Sequence, residues 1–167
     1  MKVVLDTNVL VSGILFMGPP HRILLAWSEG RFELVFTSDI HEEYRRVAAE
    51  LQQQFPRVDL AAALDLVLVN AHAFPYGVLE GQVCADPDDD KFLACALASG
   101  AGIIVSGDKH LVDVSGYRGI EVLRPRASIA TWRVRMRHPA RDGLAAVPPL
   151  GCAVFSGLPN SHHILGL

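Results

Sequence analysis

Met1-Lys2-Val3-Val4-Leu5-Asp6-Thr7-Asn8-Val9-Leu10 is the stretch whose reading decides the fold, because Asp6 closes an unbroken apolar run. A run with no polar alternation is the signature of a strand covered on both faces, the usual state in a parallel sheet. The same pattern returns a hundred residues on, in Ile103-Ile104-Val105-Ser106-Gly107-Asp108, again with an aspartate at the end. Residues 33–37 and 119–123 read as two further short strands. Between them lie segments of helical period: 23–27 after the turn at Gly18-Pro19-Pro20, 39–54 with Ile40, Tyr44, Val47 and Leu51 on one face, 58–68, and 91–99. Ser38 or Asp39 is the expected N-cap of the second of these, and Gly100 the stop of the last. Strand and helix alternating at this pace predict an α/β fold, a three-layer α/β/α sandwich around a mainly parallel central sheet. In such sheets ligands bind beyond the carboxyl ends of the strands. Asp6 and Asp108 stand there by sequence alone.

Half of the 167 residues are apolar, enough for one real core, and one domain over residues 1–132 is expected. From 133 onward the periodicity decays, and residues 133–167 read as an arginine-, then proline- and glycine-containing extension that is flexible or draped on the core. The net charge of −3 gives no global sign of nucleic-acid binding, but residues 118–141 hold seven arginines against Glu121 alone. Such a stripe recruits a phosphate backbone locally or is simply a solvated basic face. Cys84, Cys95 and Cys152 have neither disulfide-framework nor zinc spacing, and Cys95 reads as a small core residue. With no secretory signal and no membrane span legible, the expected compartment is the reducing cytosol.

Two further acids join the strand-end pair. Glu43 lies in the helical segment after Ser38-Asp39-Ile40-His41-Glu42, and Asp89 lies in Asp86-Pro87-Asp88-Asp89-Asp90-Lys91-Phe92. Each acid has a plain structural reading: Asp6 as a helix cap, Glu43 as a solvated neighbour of Arg45 and Arg46, Asp86–Asp90 as a turn and helix start, Asp108 as a turn aspartate. Taken together they point to a shared site. Carboxylates meeting in a cleft repel one another unless a cation neutralises them. An all-oxygen donor set suits Mg²⁺ or Mn²⁺ rather than zinc or copper. Asn8 adds a neutral oxygen that orients Asp6 or holds a water.

On these residues the chain resembles the PIN domain, and within it the VapC-like toxin ribonucleases of prokaryotic toxin–antitoxin modules. The resemblance runs from Lys2 to about Trp132. Asp6-Thr7-Asn8 matches the family's opening D-x-N, Glu43-Tyr44 its helix glutamate, Asp89 three residues before Phe92 its third acid, and Ser106-Gly107-Asp108 its strand-end T/S-G-D. Ser106 stands where Thr is more usual, and Asp86 and Asp90 compete with Asp89 for the third position. The resemblance implies a metal-dependent endoribonuclease. Asp6, Asp89 and Asp108 would hold Mg²⁺ or Mn²⁺, and Glu43 would be a fourth ligand or general base. It also implies an RNA substrate, a cognate antitoxin and a homodimer. Lys91 and Lys109, beside two of the acids, are weaker candidates for contacts to substrate phosphates, and His110 is the one histidine close to the acids.

Two other readings stand beside this one. A haloacid-dehalogenase-like phosphatase also carries an aspartate after its first strand, but its pattern wants Asp where this chain has Asn8, and a G-D-x-x-x-D whose last position is Val112 here. A non-catalytic binding module stabilised by one ion is the other.

Overall fold

The computed structural model describes residues 1–135. Its centre is a five-stranded sheet formed by β1 (Lys2–Leu5), β2 (Glu33–Phe36), β3 (His72–Ala73), β4 (Ile103–Val105) and β5 (Glu121–Leu123). The strand order is β3-β2-β1-β4-β5, and every pair is parallel. Seven α-helices connect and flank the strands: α1 (Thr7–Leu15), α2 (Pro19–Ser28), α3 (Ser38–Gln52), α4 (Leu60–Val69), α5 (Asp90–Ser99), α6 (Lys109–Asp113) and α7 (Pro125–Arg135). This is the α/β sandwich the sequence predicts.

Val3, Val4 and Leu5 of β1 and Ile104 and Val105 of β4 are wholly buried, which is why neither run shows alternation. Helix α5 packs across β2, β1 and β4, while α1, α3 and α4 pack together and α2 packs on α1 and α7. The register sets Leu5 beside Val105. Asp6 N–H continues the ladder to the Val105 carbonyl at 3.0 Å, and Ser106 N–H reaches the Leu123 carbonyl at 3.1 Å. The chain leaves β1 toward β2 and β3 on one side, then crosses back to β4 and β5 on the other. The crevice where strand order reverses therefore lies at the ends of β1 and β4, and the sequence puts Asp6 and Ser106 there.

Differences from the sequence reading are local. The N-cap of α3 is Thr37, which makes no side-chain cap bond, rather than Ser38 or Asp39. Gly100 ends α5 in the left-handed region at φ 69°, as expected. Helix α7 continues through Trp132, whose buried ring lies 4.7 Å from that of Phe32. Helix α7 runs on to Arg135, three residues into the expected extension 133–167, and the rest of that segment lies outside the described residues. Of the arginines in the basic stripe, Arg118 pairs with Glu80 and Arg124 donates to the Gly107 carbonyl. Cys84 and Cys95 are buried free thiols, both pushed up to about 12 chiefly by burial, while Cys152 is outside the described residues. No single described helix is long and apolar enough to cross a membrane.

Candidate active site

Asp6 is at once the residue after β1 and the N-cap of α1. Its Oδ1 accepts from Asn8 N–H at 3.0 Å, and its Oδ2 accepts from Ser106 Oγ at 2.5 Å. Only 5% of its surface is exposed. Burial raises its pKa above the ordinary carboxylate value, the bonds from Ser106 and Asn8 pull it back, and the charges of Glu43 and Asp108 add to the rise. Ser106 is fully buried and serves both strand-end acids, since its Oγ also accepts from Asp108 N–H at 2.9 Å. Asp108 caps α6 through a 2.7 Å bond from His110 N–H to its Oδ1.

The third acid was open among Asp86, Asp89 and Asp90, and the three now differ in what they hold. Asp90 accepts from Cys84 N–H at 2.7 Å and from Val83 N–H at 3.1 Å, which pins the segment before the helix. Asp86 caps the 3-10 turn Pro87–Asp89 by accepting from Asp88 N–H. Asp89 heads α5 with no side-chain cap bond. Its pKa is raised to about 6, first by burial, then by the charges of Asp108, Asp86 and Asp6, with His110 acting in the opposite sense. Asp89 thus lies in the field of both strand-end acids.

Glu43 projects from α3 and is gripped at both oxygens. Thr7 Oγ1 donates to Oε1 at 2.6 Å, and Lys91 Nζ pairs with Oε2. The next residue, Tyr44, is fully buried and its hydroxyl donates to the Leu5 carbonyl at 2.5 Å, which ties α3 to the end of β1. Thr7 and Tyr44 are parts of the site that the sequence reading did not assign. Thr7 stands in the sequence only as the middle of Asp6-Thr7-Asn8, and Tyr44 as one member of an apolar stripe and as the neighbour of Glu43 in the helix motif. Asn8, Lys109 and His110 are exposed at the rim.

Among the described residues no three acids, histidines or cysteines stand close enough to form a ready-made ligand group. Glu43 is paired with Lys91 and Thr7, and Asp108 Oδ1 accepts from the His110 amide. The donor chemistry nevertheless fits a hard divalent cation. Asp6 is a buried carboxylate whose charged form is disfavoured by burial and by neighbouring acids, and each carboxylate oxygen that accepts one hydrogen bond keeps a second lone pair.

A family model described as PIN domain matches residues 2–110. Among solved structures, the crystal structure of PAE2754 from Pyrobaculum aerophilum superposes with a TM-score of 0.55 at 17% identity, over 81% of this chain and 91% of that one. The crystal structure of VapBC2 from Rickettsia felis, bound to a DNA fragment from their promoter, superposes with a TM-score of 0.52 at 13% identity, over 74% of this chain and 98% of the other. At such identities the likeness is one of fold. No curated protein matches the chain. The family match spans most of the sequence and includes Asp6, Glu43, Asp89 and Asp108, and the chain accordingly belongs to the PIN domain family.

Proposed function

We propose that the protein is a divalent-metal-dependent endoribonuclease and the toxin component of a toxin–antitoxin pair. PIN domains are typically nucleases, and the observation that carries the finer reading is the shared field at the sheet's carboxyl edge. Asp89 is raised to about 6 by burial together with Asp108, Asp86 and Asp6, acids from three separate segments. Acids so arranged at a switch point are suited to a cation and ill suited to stand alone.

Asp6, Asp89 and Asp108 are the proposed ligands of Mg²⁺ or Mn²⁺, with Glu43 a fourth ligand or the general base; Asp86 and Asp90 support the loop. A divalent ion bound by these carboxylates would supply an activated water and offset charge on the scissile phosphate. The residues themselves do the positioning. Ser106 fixes Asp6 and the Asp108 backbone, Thr7 and Lys91 aim Glu43, and Tyr44 anchors the helix that carries it. Attack by water with the 3′ oxygen as the leaving group would give a 5′-phosphate and a 3′-hydroxyl. Lys109, exposed beside Asp108, is proposed as a contact to substrate phosphate. Likeness of fold to VapBC2 supports a cognate antitoxin as partner, and a homodimer is proposed to complete a groove for single-stranded RNA. The phosphatase reading lacks its acids at Asn8 and Val112; the binding-module reading has in its favour that, among the described residues, no three acids form a ready-made ligand group, and loss of cleavage in both variants with the fold intact would exclude it.

The test is cleavage of single-stranded RNA with Mg²⁺ or Mn²⁺ by the wild type, Asp6→Asn and Asp108→Asn. Both substitutions are expected to lower the rate on the order of 100-fold or more with the fold intact by circular dichroism. Undiminished cleavage in both variants overturns the reading.

A further inference from the structure

Lys91 is oddly placed for a surface lysine. It is the second residue of α5, where the helix dipole disfavours a cation and favours the acids that surround it. Asp86, Asp88, Asp89 and Asp90 are its near neighbours in sequence, yet its ammonium reaches across to Glu43, 48 residues away on α3. The pair is sheltered, with side chains 22% and 17% exposed, so water and salt screen it less than the surface ion pairs Arg46–Glu50 and Arg45–Asp65. Thr7 holds the other oxygen of the same carboxylate. One sheltered ammonium thus neutralises Glu43, an acid whose charge acts on the buried Asp6.

We propose that Lys91 is a built-in counter-ion: it holds Glu43 in the metal-free protein and competes with the incoming divalent cation for that carboxylate. This rests on the metal-dependent reading above and goes beyond it, since it makes Lys91 a positioning residue that sets metal affinity, in place of a contact to substrate phosphate. Two consequences follow from charge alone. Removing the ammonium leaves the acids less neutralised, so the metal-free fold loses stability. The same removal deepens the negative potential and frees a ligand, so a divalent cation binds more tightly.

The experiment measures Mn²⁺ binding by titration calorimetry, and thermal melting in EDTA and in saturating Mn²⁺, for the wild type, Lys91→Met and Lys91→Arg. Lys91→Met keeps the aliphatic stem and loses the charge. It is expected to melt several degrees lower in EDTA, to bind Mn²⁺ about tenfold more tightly, and to converge on the wild-type melting temperature when Mn²⁺ saturates. Lys91→Arg, which keeps the charge, is expected to follow the wild type in all three. Should Lys91→Met not fold in EDTA, folding on addition of Mn²⁺ supports the proposal and failure to fold there overturns it. Equal or weaker Mn²⁺ affinity in Lys91→Met, with the wild type binding Mn²⁺ normally, overturns the counter-ion role and leaves the nuclease reading standing. A wild type that binds no Mn²⁺ overturns both.

Discussion

Asp6 and Asp108 show that capping and site chemistry are not competing roles for one carboxylate. Each uses one oxygen to close a helix start, from Asn8 and His110 amides respectively, and the fixed geometry this gives is what a reactive constellation needs. Ser106 is the hinge of the arrangement because one hydroxyl donates to Asp6 and accepts from the Asp108 amide. Its loss leaves a buried carboxylate short of a donor and an amide short of an acceptor. Ser106→Ala is expected to lower stability by about 1–3 kcal/mol in urea unfolding and to depress RNA cleavage beyond any effect on folding. Ser106→Thr, which keeps the hydroxyl, is expected to retain both. An alanine variant of wild-type stability and activity would remove Ser106 from the site.

At the scale of elements, four of the five strands are legible in the sequence and several helices are not, for physical reasons. Val3–Leu5 and Ile103–Val105 announce themselves because burial on both faces leaves only apolar choices. Helix α1 was not drawn from the sequence beyond its cap, because Val9, Leu10, Val11 and Ile14 are all buried and leave no polar face to reveal a period. Strand β3 has two residues, both exposed, and so carries no pattern; α6 has only five. The grip on Glu43 was illegible for another reason: Thr7 and Lys91 lie 36 and 48 residues from it, and such pairings leave no local trace. The segment before α5 hides a similar constraint. A Cβ on Gly77 would fall 2.2 Å from the Ala94 carbonyl oxygen, so this loop lies against the helix that carries Asp89 and Lys91. Gly77→Ala is expected to lower stability by about 1–3 kcal/mol by chemical denaturation, because backbone, not a flexible side chain, must move. A neutral result would mean that the loop yields freely.

Across the whole molecule the acids make stability depend on pH when metal is absent. Asp89 titrates near 6 in the folded protein against an ordinary 3.8, and Asp6 is also raised. A raised acid favours the fold while protonated, so its contribution is complete below about pH 4 and is lost as pH rises through about 6. In EDTA the stability of the wild type relative to Asp89→Asn is therefore expected to fall between pH 4 and 7, and saturating Mn²⁺ at pH 7 to reverse that fall. A relative stability that stays flat or rises over this range would contradict the electrostatic account of the site.

The bond between Asp6 and Ser106 joins residues 100 apart in the chain. A ribosome adding about 5–20 residues per second makes Asp6 roughly 5–20 s before it makes Ser106. Strand β1 must wait that long for the neighbour on its β4 side, and until then the acids have no common crevice. Whatever chemistry Asp6 and Asp108 carry together can therefore begin only once β4 is made and docks beside β1.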